Sequence, residues 1–134
     1  MRVANFGLLA LGLLSTPVFA TNHTVVVGGG GLVFTPSTLT INVGDTVTFT
    51  NKPADGGGGF HNAHSTSGPA GDQFKCSVDC ASNSNPNGSA WSDVVAFPAA
   101  GTVDYMCDQH GGLGMVGSIT INALPVRLQS FDVD

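Results

Sequence analysis

The segment GTVDYMCDQHGGLGM contains three side chains that suit a soft metal ion. Cys107, His110 and Met115 follow the spacing C-x2-H-x4-M, so one short Gly-rich loop carries a thiolate, an imidazole and a thioether. Sulfur ligands combined with imidazole favour copper, and two histidines, one cysteine and a weakly bound axial methionine form the blue-copper ligand set. The loop therefore predicts a copper site that needs one more histidine from elsewhere in the chain.

The chain has four histidines, so the missing ligand is one of the three outside this loop. His61 is the preferred candidate, because it follows the flexible run GGGG at 56–59 and lies just after the strand-like segment TVTFTN. The end of a neighbouring strand can approach the Cys107 loop at that point. His64 is close enough in sequence to compete, although a solvent-facing loop histidine is the simpler interpretation. His23 lies at the start of the first predicted strand, and no metal role is expected for it.

Alternating apolar and polar residues predict the β-strands that would position these ligands. The side chains predicted to face inward are Leu39, Ile41 and Val43 in STLTINV, Val47 and Phe49 in TVTFT, Val103, Tyr105 and Cys107 in GTVDYMC, and Ile119 and Ile121 near the C-terminus. Thr46, Thr48 and Thr50 are predicted to face outward. HTVVV at 23–27 and the segment 32–34 add short strands. Without a helical stripe after the N-terminal region, the pattern indicates an all-β antiparallel sandwich or barrel.

The first twenty residues, MRVANFGLLALGLLSTPVFA, have the features of a secretory signal peptide. Arg2 supplies a short positive region, an apolar run follows it, and the segment ends in VFA, which suits signal peptidase. The apolar run is shorter than the roughly 20 residues that span a bilayer. We predict cleavage after Ala20. The predicted organisation is a signal peptide at 1–20, one domain at 21–122 and a C-terminal tail at 123–134.

The cysteine count fits an exported protein that keeps one free thiol. Disulfides form in oxidising compartments, and three cysteines leave one unpaired. We interpret Cys76 and Cys80, which share the short polar segment KCSVDC, as a local disulfide; a metal-binding pair is the alternative. Cys107 is then the free cysteine. The segment 52–90 is predicted to be a loop-rich insertion that the disulfide restrains.

Charged residues are few and argue against several classes of function. The chain has four Lys and Arg residues, nine acidic residues and a net charge of −5 at pH 7. The basic residues are too widely separated in sequence to build a phosphate-binding patch, so no nucleic-acid partner is expected. Four histidines are too few for one copper site plus the second metal centre of a copper enzyme. No nucleophile–base–acid set stands out either, so an enzyme is not expected.

Together these motifs resemble the cupredoxins, the type 1 blue copper proteins, and in particular their plastocyanin-like and pseudoazurin-like branch. The resemblance covers FTPSTLTINVGDTVTFTN at 34–51, the pair His61-Asn62 and FPAAGTVDYMCDQHGGLGMVGSITIN at 97–122. FKCSVDC, followed later by WS, is similar to a bacterial plastocyanin-like subgroup with a local disulfide. The resemblance implies a Greek-key antiparallel β-sandwich, interrupted here by the loop-rich insertion, with a copper site at one end.

The resemblance also implies roles for individual residues. The implied ligands of a single type 1 copper ion, two ring nitrogens, one thiolate and one axial thioether, are His61, His110, Cys107 and Met115. Asn62 resembles the family residue whose side chain ties the two ligand loops together, outside the ligand set. In relatives the loop histidine reaches through an apolar patch where partners dock. Gly112 and Leu113 supply small and apolar neighbours of that kind beside His110.

The function implied is outer-sphere transfer of single electrons between redox partner proteins, a donor and an acceptor. The protein is expected to be a monomer, secreted or periplasmic, without a membrane span after removal of the signal peptide. The alternative is a copper-binding protein that delivers or stores the metal, because the same ligand set would serve that purpose. Redox reversibility and metal exchange distinguish the two functions.

Overall fold

The computed structural model describes residues 18–80 and 84–125 and shows a β-protein of two sheets. The described residues form nine strands and three short 3-10 turns, with no α-helix among them. The strands are β1 (Asn22–Val27), β2 (Phe34–Thr35), β3 (Thr38–Asn42), β4 (Thr46–Thr50), β5 (Ala63–Ser65), β6 (Lys75–Cys76), β7 (Ser92–Ala96), β8 (Gly101–Met106) and β9 (Val116–Asn122). The 3-10 turns are Pro53–Asp55, Ala70–Asp72 and Gly111–Leu113.

Most of the predicted signal peptide and the end of the predicted tail, residues 1–17 and 126–134, lie outside the described residues. Within the described part of the chain, no helix has the length and apolar character needed to cross a bilayer.

The first sheet has the strand order β2-β1-β4-β7 and the second has the order β3-β9-β8-β5-β6. The predicted β-sandwich is confirmed, and both sheets are mixed rather than wholly antiparallel. In the first sheet β1 runs parallel to β4, and in the second β3 runs parallel to β9. The chain passes from the first sheet to the second after β2 and returns after β3, so β3 pairs with β9, a partner distant in sequence. Alternation within a strand does not encode the direction of such a partner.

The core lies between the sheets and contains most of the side chains predicted to face inward, while Leu39 and Val43 are partly buried and pack against it. Phe49, Phe74 and Tyr105 form its aromatic centre, with ring centroids 5.0 to 5.9 Å apart. Thr50, predicted to face outward, is nevertheless buried. Thr50 is 1% exposed, and its hydroxyl donates a 2.6 Å hydrogen bond to Asp55 Oδ2 in the following turn. That bond satisfies the buried hydroxyl, so a polar residue at the end of the strand can be buried beside the turn that follows it.

The segment 52–90 is loop-rich, as predicted, but it also contributes strands to the second sheet. β5 pairs with β6 on one side and with β8 on the other. The predicted disulfide between Cys76 and Cys80 is present and begins at the end of β6. These strands of three and two residues are too short to show a period of two, so the sequence pattern does not reveal them.

Candidate metal centre

Pairing of β5 with β8 sets the position of the predicted ligands. The two strands are antiparallel, and His64 lies opposite Met106. In an antiparallel pair the residues that precede one strand lie beside the residues that follow the other. His61, three residues before His64, therefore lies beside the loop that begins with Cys107. A strand that the sequence pattern did not reveal thus delivers the distant histidine.

Three of the four predicted ligands converge on one point. The Nδ1 atoms of His61 and His110 are 3.0 Å apart. Cys107 Sγ lies 3.8 Å from Nδ1 of His61 and 3.7 Å from Nδ1 of His110. A metal ion bound at about 2.0 Å from nitrogen and about 2.3 Å from sulfur in a trigonal plane would separate the nitrogen and sulfur ligands by about 3.7 Å. The three side chains are therefore spaced to share one ion.

The environment of these side chains suits metal binding. Cys107 is fully buried, His61 is 4% exposed and His110 is partly exposed. Burial lowers the pKa of His61 below its ordinary value, and the adjacent His110 lowers it further. His61 is thus held neutral, the form in which an imidazole nitrogen has a lone pair for a metal. The unequal exposure gives the centre a closed side at His61 and an open side at His110.

Backbone hydrogen bonds hold the loop from Cys107 to Met115 in place. The Cys107 carbonyl accepts hydrogen bonds from the N–H groups of His110 and Gly111, at 3.3 and 2.7 Å. Met115 donates its N–H to the His110 carbonyl at 3.2 Å and accepts from the Cys107 N–H at 3.1 Å. The Met115 side chain is fully buried. The loop is thus closed on itself, and its own backbone fixes the predicted ligands relative to one another.

Asn62 connects the two segments that carry these ligands. Its side-chain oxygen accepts a hydrogen bond from the Asp108 N–H at 2.8 Å, and its side-chain nitrogen donates to Asp108 Oδ2 at 2.9 Å. The same nitrogen donates to the Ser84 carbonyl at 3.2 Å. Asn62 follows His61 and Asp108 follows Cys107, so one amide side chain joins the two segments that carry the predicted ligands.

His64 and His23 lie outside the group of converging ligands. His64 belongs to β5 rather than to a loop, and its Nδ1 lies 2.8 Å from Asp108 Oδ1. His23 Nε2 lies 3.1 Å from Oδ2 of Asp45, a carboxylate that is 4% exposed. Each histidine is therefore paired with an aspartate. Of the two candidates for the distant ligand, His61 has a ring nitrogen near Cys107 Sγ, whereas His64 contacts Asp108.

Asp108 is the polar residue near the centre that the sequence analysis missed. Its carboxylate contacts Asn62, His64 and also Lys75, whose Nζ lies 3.1 Å from Oδ2. Burial raises the pKa of the Asp108 carboxyl, but hydrogen bonds from these three neighbours, that of His64 first, outweigh burial and bring it to about 2. Asp108 is therefore ionised beside Cys107. Its position directly after the cysteine is the one sequence signal that pointed to it.

Two glycines allow the backbone to pack directly against the His61 ring. A Cβ atom on Gly28 would lie 2.5 Å from His61 Cδ2, and a Cβ atom on Gly59 would lie 2.5 Å from His61 Nε2. The sequence analysis treated the glycine run at 56–59 as flexible. In the structure Gly59 holds a φ of +111° and forms part of the wall that confines the ring.

The residues predicted to form a docking patch lie on the surface beside His110. Leu113 is 73% exposed, and Gly112 is exposed with it. Both belong to the 3-10 turn Gly111–Leu113, whose first residue follows His110. An apolar side chain that is largely exposed beside a partly exposed ligand is the arrangement that a transient docking patch requires.

The fold and the site define a class: small β-sandwich proteins with a mononuclear metal centre built from two histidines and a buried cysteine. A family model described as copper binding proteins, plastocyanin/azurin family, matches residues 21–122, and the chain belongs to this family. The chloroplastic plastocyanin of Pisum sativum is 34% identical over 127 residues, which cover 88% of this chain and 71% of that protein. The plastocyanin of Tetradesmus obliquus is 35% identical over 126 residues, which cover 90% of this chain and 81% of that protein.

Solved structures agree with this assignment. Native pseudoazurin from Hyphomicrobium denitrificans has a TM-score of 0.51 at 25% identity, and the match covers 75% of each chain. A mutant plastocyanin of fern has a TM-score of 0.52 at 25% identity, over 74% of this chain and 99% of that one. The predicted cupredoxin family and the predicted copper cofactor are confirmed. Family, fold and site together make the chain a small blue copper electron-transfer protein.

Proposed function

We propose that His61, Cys107, His110 and Met115 hold a single type 1 copper ion, through which the protein carries one electron at a time. The observation that carries the proposal is the buried Cys107 thiol, 3.8 and 3.7 Å from two histidine nitrogens that face each other. Met115 completes the set because it is fully buried and its backbone bonds to both loop ligands. When bound, copper supplies the Cu(I)/Cu(II) couple.

The chain contributes a site that changes little when the electron enters or leaves. His61 is confined by Gly28 and Gly59, and the loop ligands are fixed by backbone bonds within the loop. The Asn62–Asp108 pair ties the two segments together. Side chains that are locked by packing and by neighbouring hydrogen bonds keep one geometry in both oxidation states, which lowers the rearrangement that accompanies transfer.

Electrons enter and leave on the His110 side. His61 is 4% exposed, whereas His110 is partly exposed and precedes the turn that carries Gly112 and Leu113. A redox partner that covers Leu113 comes close to a copper ligand without opening the site. Outer-sphere transfer through this patch needs no bound substrate, and no enzymatic role is proposed. Donor and acceptor are other redox proteins, and the protein acts as a monomer.

Export to the periplasm or the exterior accounts for the N-terminal segment. The proposed mature chain begins at Thr21, and the domain extends to residue 122. The ordered contacts support this boundary, because the Thr21 N–H donates to Asp45 Oδ1 at 2.8 Å and the Thr21 carbonyl accepts from the Thr46 N–H at 2.9 Å. Residues 18–20 are exposed and outside any strand. Removal of the residues before Thr21 therefore leaves the sheet intact.

The test is a Cu(II) titration of residues 21–134 followed by visible absorption, with Cys107→Ser as the control. An intense thiolate-to-copper band that saturates at one equivalent and is absent from the control supports the ligand set. Reversible voltammetry of the loaded protein supports electron transfer. A protein that retains Cu(I) but bleaches on oxidation acts in copper delivery or storage instead. Absence of copper binding contradicts the ligand assignment.

A further inference from the structure

Lys75 lies outside the ligand set, yet its ammonium group contacts Asp108, which follows Cys107, and Asn85, which lies two residues before the β-bridge partner of His61. Its Nζ is 3.1 Å from Oδ2 of Asp108, the residue that follows Cys107. The same Nζ is 3.4 Å from Oδ1 of Asn85. Only 17% of the Lys75 side chain is exposed, so most of the side chain is shielded from solvent while the ammonium contacts both oxygens.

The Asn85 contact connects Lys75 to the histidine that comes from the distant segment. Two residues after Asn85, Asn87 forms an isolated β-bridge with His61. The His61 N–H donates to the Asn87 carbonyl and the Asn87 N–H donates to the His61 carbonyl, both at 3.2 Å. A single cation therefore contacts the residue after Cys107 on one side and, on the other, Asn85, two residues before the β-bridge partner of His61.

The position of Lys75 is fixed by the strand and the disulfide around it. Lys75 lies opposite His64 in the pairing of β6 with β5. The next residue, Cys76, is bonded to Cys80, so the chain on the C-terminal side of Lys75 is covalently closed. Cys76 is fully buried. The ammonium group is thus presented from a restrained backbone, which reduces the entropy lost when it orders Asp108 and Asn85.

Lys75 also balances a charge beside the metal centre. Asp108 places a carboxylate one residue from the Cys107 thiolate, and a negative charge there favours the more highly charged Cu(II) state. Lys75 is the cation in contact with that carboxylate, and His64 is its other titratable neighbour. Since the pair is partly shielded from water, its electrostatic effect on the centre is screened less than that of a cation at the surface.

We propose that Lys75 is a positioning residue of the copper centre: it holds the Cys107 and His61 segments together through Asp108 and Asn85, and it raises the reduction potential by compensating the Asp108 charge. The proposal rests on the proposed copper site. It gives the Cys76–Cys80 disulfide a role as well, because the disulfide presents Lys75 to both segments.

The test compares Lys75→Met with Lys75→Arg and with Lys52→Met. Methionine keeps an unbranched, flexible side chain without the charge, and arginine restores the charge. Lys52 is exposed and lies before the turn Pro53–Asp55, so Lys52→Met removes the same unit of charge at the surface. Reduction potential and the relative intensities of the visible bands are measured for the copper-loaded proteins. Amide hydrogen exchange of Asp108 is measured for the metal-free proteins.

We expect Lys75→Met to lower the reduction potential and to change the ratio of the visible bands, while Lys75→Arg and Lys52→Met remain close to the wild-type protein. In the metal-free Lys75→Met variant, exchange of the Asp108 amide is expected to rise about tenfold, because a hydrogen bond to a charged group has been lost from the contact that holds it. Equal shifts in Lys75→Met and Lys52→Met would overturn the proposal. So would a lower melting temperature with unchanged potential, band ratio and exchange.

The exchange measurement separates this inference from the proposed function. If the wild-type protein fails to bind copper but Lys75→Met still accelerates exchange of the Asp108 amide, the copper assignment fails and the positioning role of Lys75 remains. If copper binds with an intense band and Lys75→Met changes neither the ratio of the visible bands nor the exchange of the Asp108 amide, the positioning role of Lys75 is wrong and the copper assignment remains. A double variant, Cys76→Ser with Cys80→Ser, should move exchange in the same direction as Lys75→Met.

Discussion

Asn62 and Asp108 are joined by a reciprocal pair of hydrogen bonds across the two segments that carry the proposed copper ligands. The Asp108 N–H donates to the Asn62 side-chain oxygen at 2.8 Å, and the Asn62 side-chain nitrogen donates to the Asp108 carboxylate at 2.9 Å. Asn62 is fully buried. Since each of these residues directly follows a proposed ligand, the distance between His61 and Cys107 depends on this pair.

The main effect expected of Asn62→Ala is weaker retention of copper, with a smaller effect on the stability of the fold. The change leaves the Asp108 N–H without its partner, and loss of a buried hydrogen-bond partner costs about 1–3 kcal/mol. We expect a lower free energy of unfolding, faster loss of copper to a chelator and an altered ratio of the visible bands. Chelator competition followed at the thiolate-to-copper band measures the copper loss, and denaturant unfolding measures the stability.

Asn122→Ala is the matched control for Asn62→Ala. Asn122 is exposed at the end of β9, and its backbone carbonyl, which accepts from the Val43 N–H, is retained in the variant. The control should keep the wild-type rate of copper loss. If Asn62→Ala also keeps that rate, the side chain does not control the spacing of the ligand segments.

Gly59→Ala should disturb the proposed His61 ligand through direct contact. A Cβ atom at this position would lie 2.5 Å from His61 Nε2, and the φ of +111° is itself unfavourable for alanine. We expect a lower affinity for copper together with a stability loss of about 1–2 kcal/mol from backbone strain. Isothermal titration with copper measures the affinity, and thermal unfolding of the metal-free protein measures the strain.

Gly30→Ala is the control that introduces backbone strain without a new contact to His61. Gly30 has a φ of +90°, but a Cβ atom there would meet nothing within 4 Å. Gly30→Ala should therefore lose stability and keep its copper affinity. Equal affinity in the two variants would show that the close approach of Gly59 to His61 is not required for binding.

Leu113→Glu should slow electron exchange without changing the site. Leu113 is 73% exposed beside the His110 side of the centre, so a carboxylate there adds charge to the docking patch but does not reach the ligands. We expect an unchanged visible spectrum and an electron self-exchange rate about tenfold lower, because a like charge in each of two facing patches disfavours their encounter. Nuclear magnetic resonance line widths of mixed oxidation states give the rate.

Val94→Glu is the control for the docking patch. Val94 is 52% exposed on β7, in the sheet that does not contain β8, and the substitution adds the same charge. Its self-exchange rate should stay close to that of the wild-type protein. An equal slowing in both variants would assign the effect to net charge and remove the docking role of Leu113.

Asp45 should make folding sensitive to acid. Its pKa is held below the ordinary value of 3.8, chiefly by hydrogen bonds from the backbone N–H groups of Asn42 and Thr21 and then by His23, against the opposing effect of burial. A depressed folded-state pKa means that the unfolded chain binds the proton more readily. The stabilisation is therefore present above about pH 4 and is lost as the pH falls through the folded-state pKa.

The measurement is the free energy of unfolding of the metal-free protein from pH 7 to pH 2, for the wild-type chain and for Asp45→Asn. The wild-type chain should lose more stability than the variant below pH 4, and the two curves should converge there. The difference between the proteins isolates Asp45 from the other carboxylates. Parallel curves over the whole range would show that the hydrogen bonds to Asp45 do not stabilise its ionised form.

The loop ligands could be predicted from sequence because they are local. Cys107 directly follows β8, whose alternation places it on the core side, and the spacing to His110 and Met115 lies within a single loop. Val103 and Tyr105 are buried on the same face, as the alternation predicted. A period of two reports which side of a strand a residue occupies, and this information needs no knowledge of the strand's partners.

Strand pairing, and with it the rest of the site, was decided by the tertiary structure. The sequence left His61 and His64 as alternatives, and the antiparallel register of β5 with β8 decided between them by placing His61 beside Cys107 and His64 on Asp108. The alternation likewise did not reveal the parallel pairs in both sheets or the burial of Thr50.

The network of Asn62, Lys75 and Asp108 also combines one residue that the sequence pointed to with contacts that only the tertiary structure decided. A resemblance pointed to Asn62, but no local pattern relates Lys75 to Asp108, which are 33 positions apart in the printed sequence. They meet because β5 lies between β6 and β8 in one sheet. The sequence by itself determined the ligand loop, the strand faces and the copper chemistry. The fold decided which distant side chains complete the centre, because pairing partners depend on the packing of the whole chain rather than on neighbours in sequence.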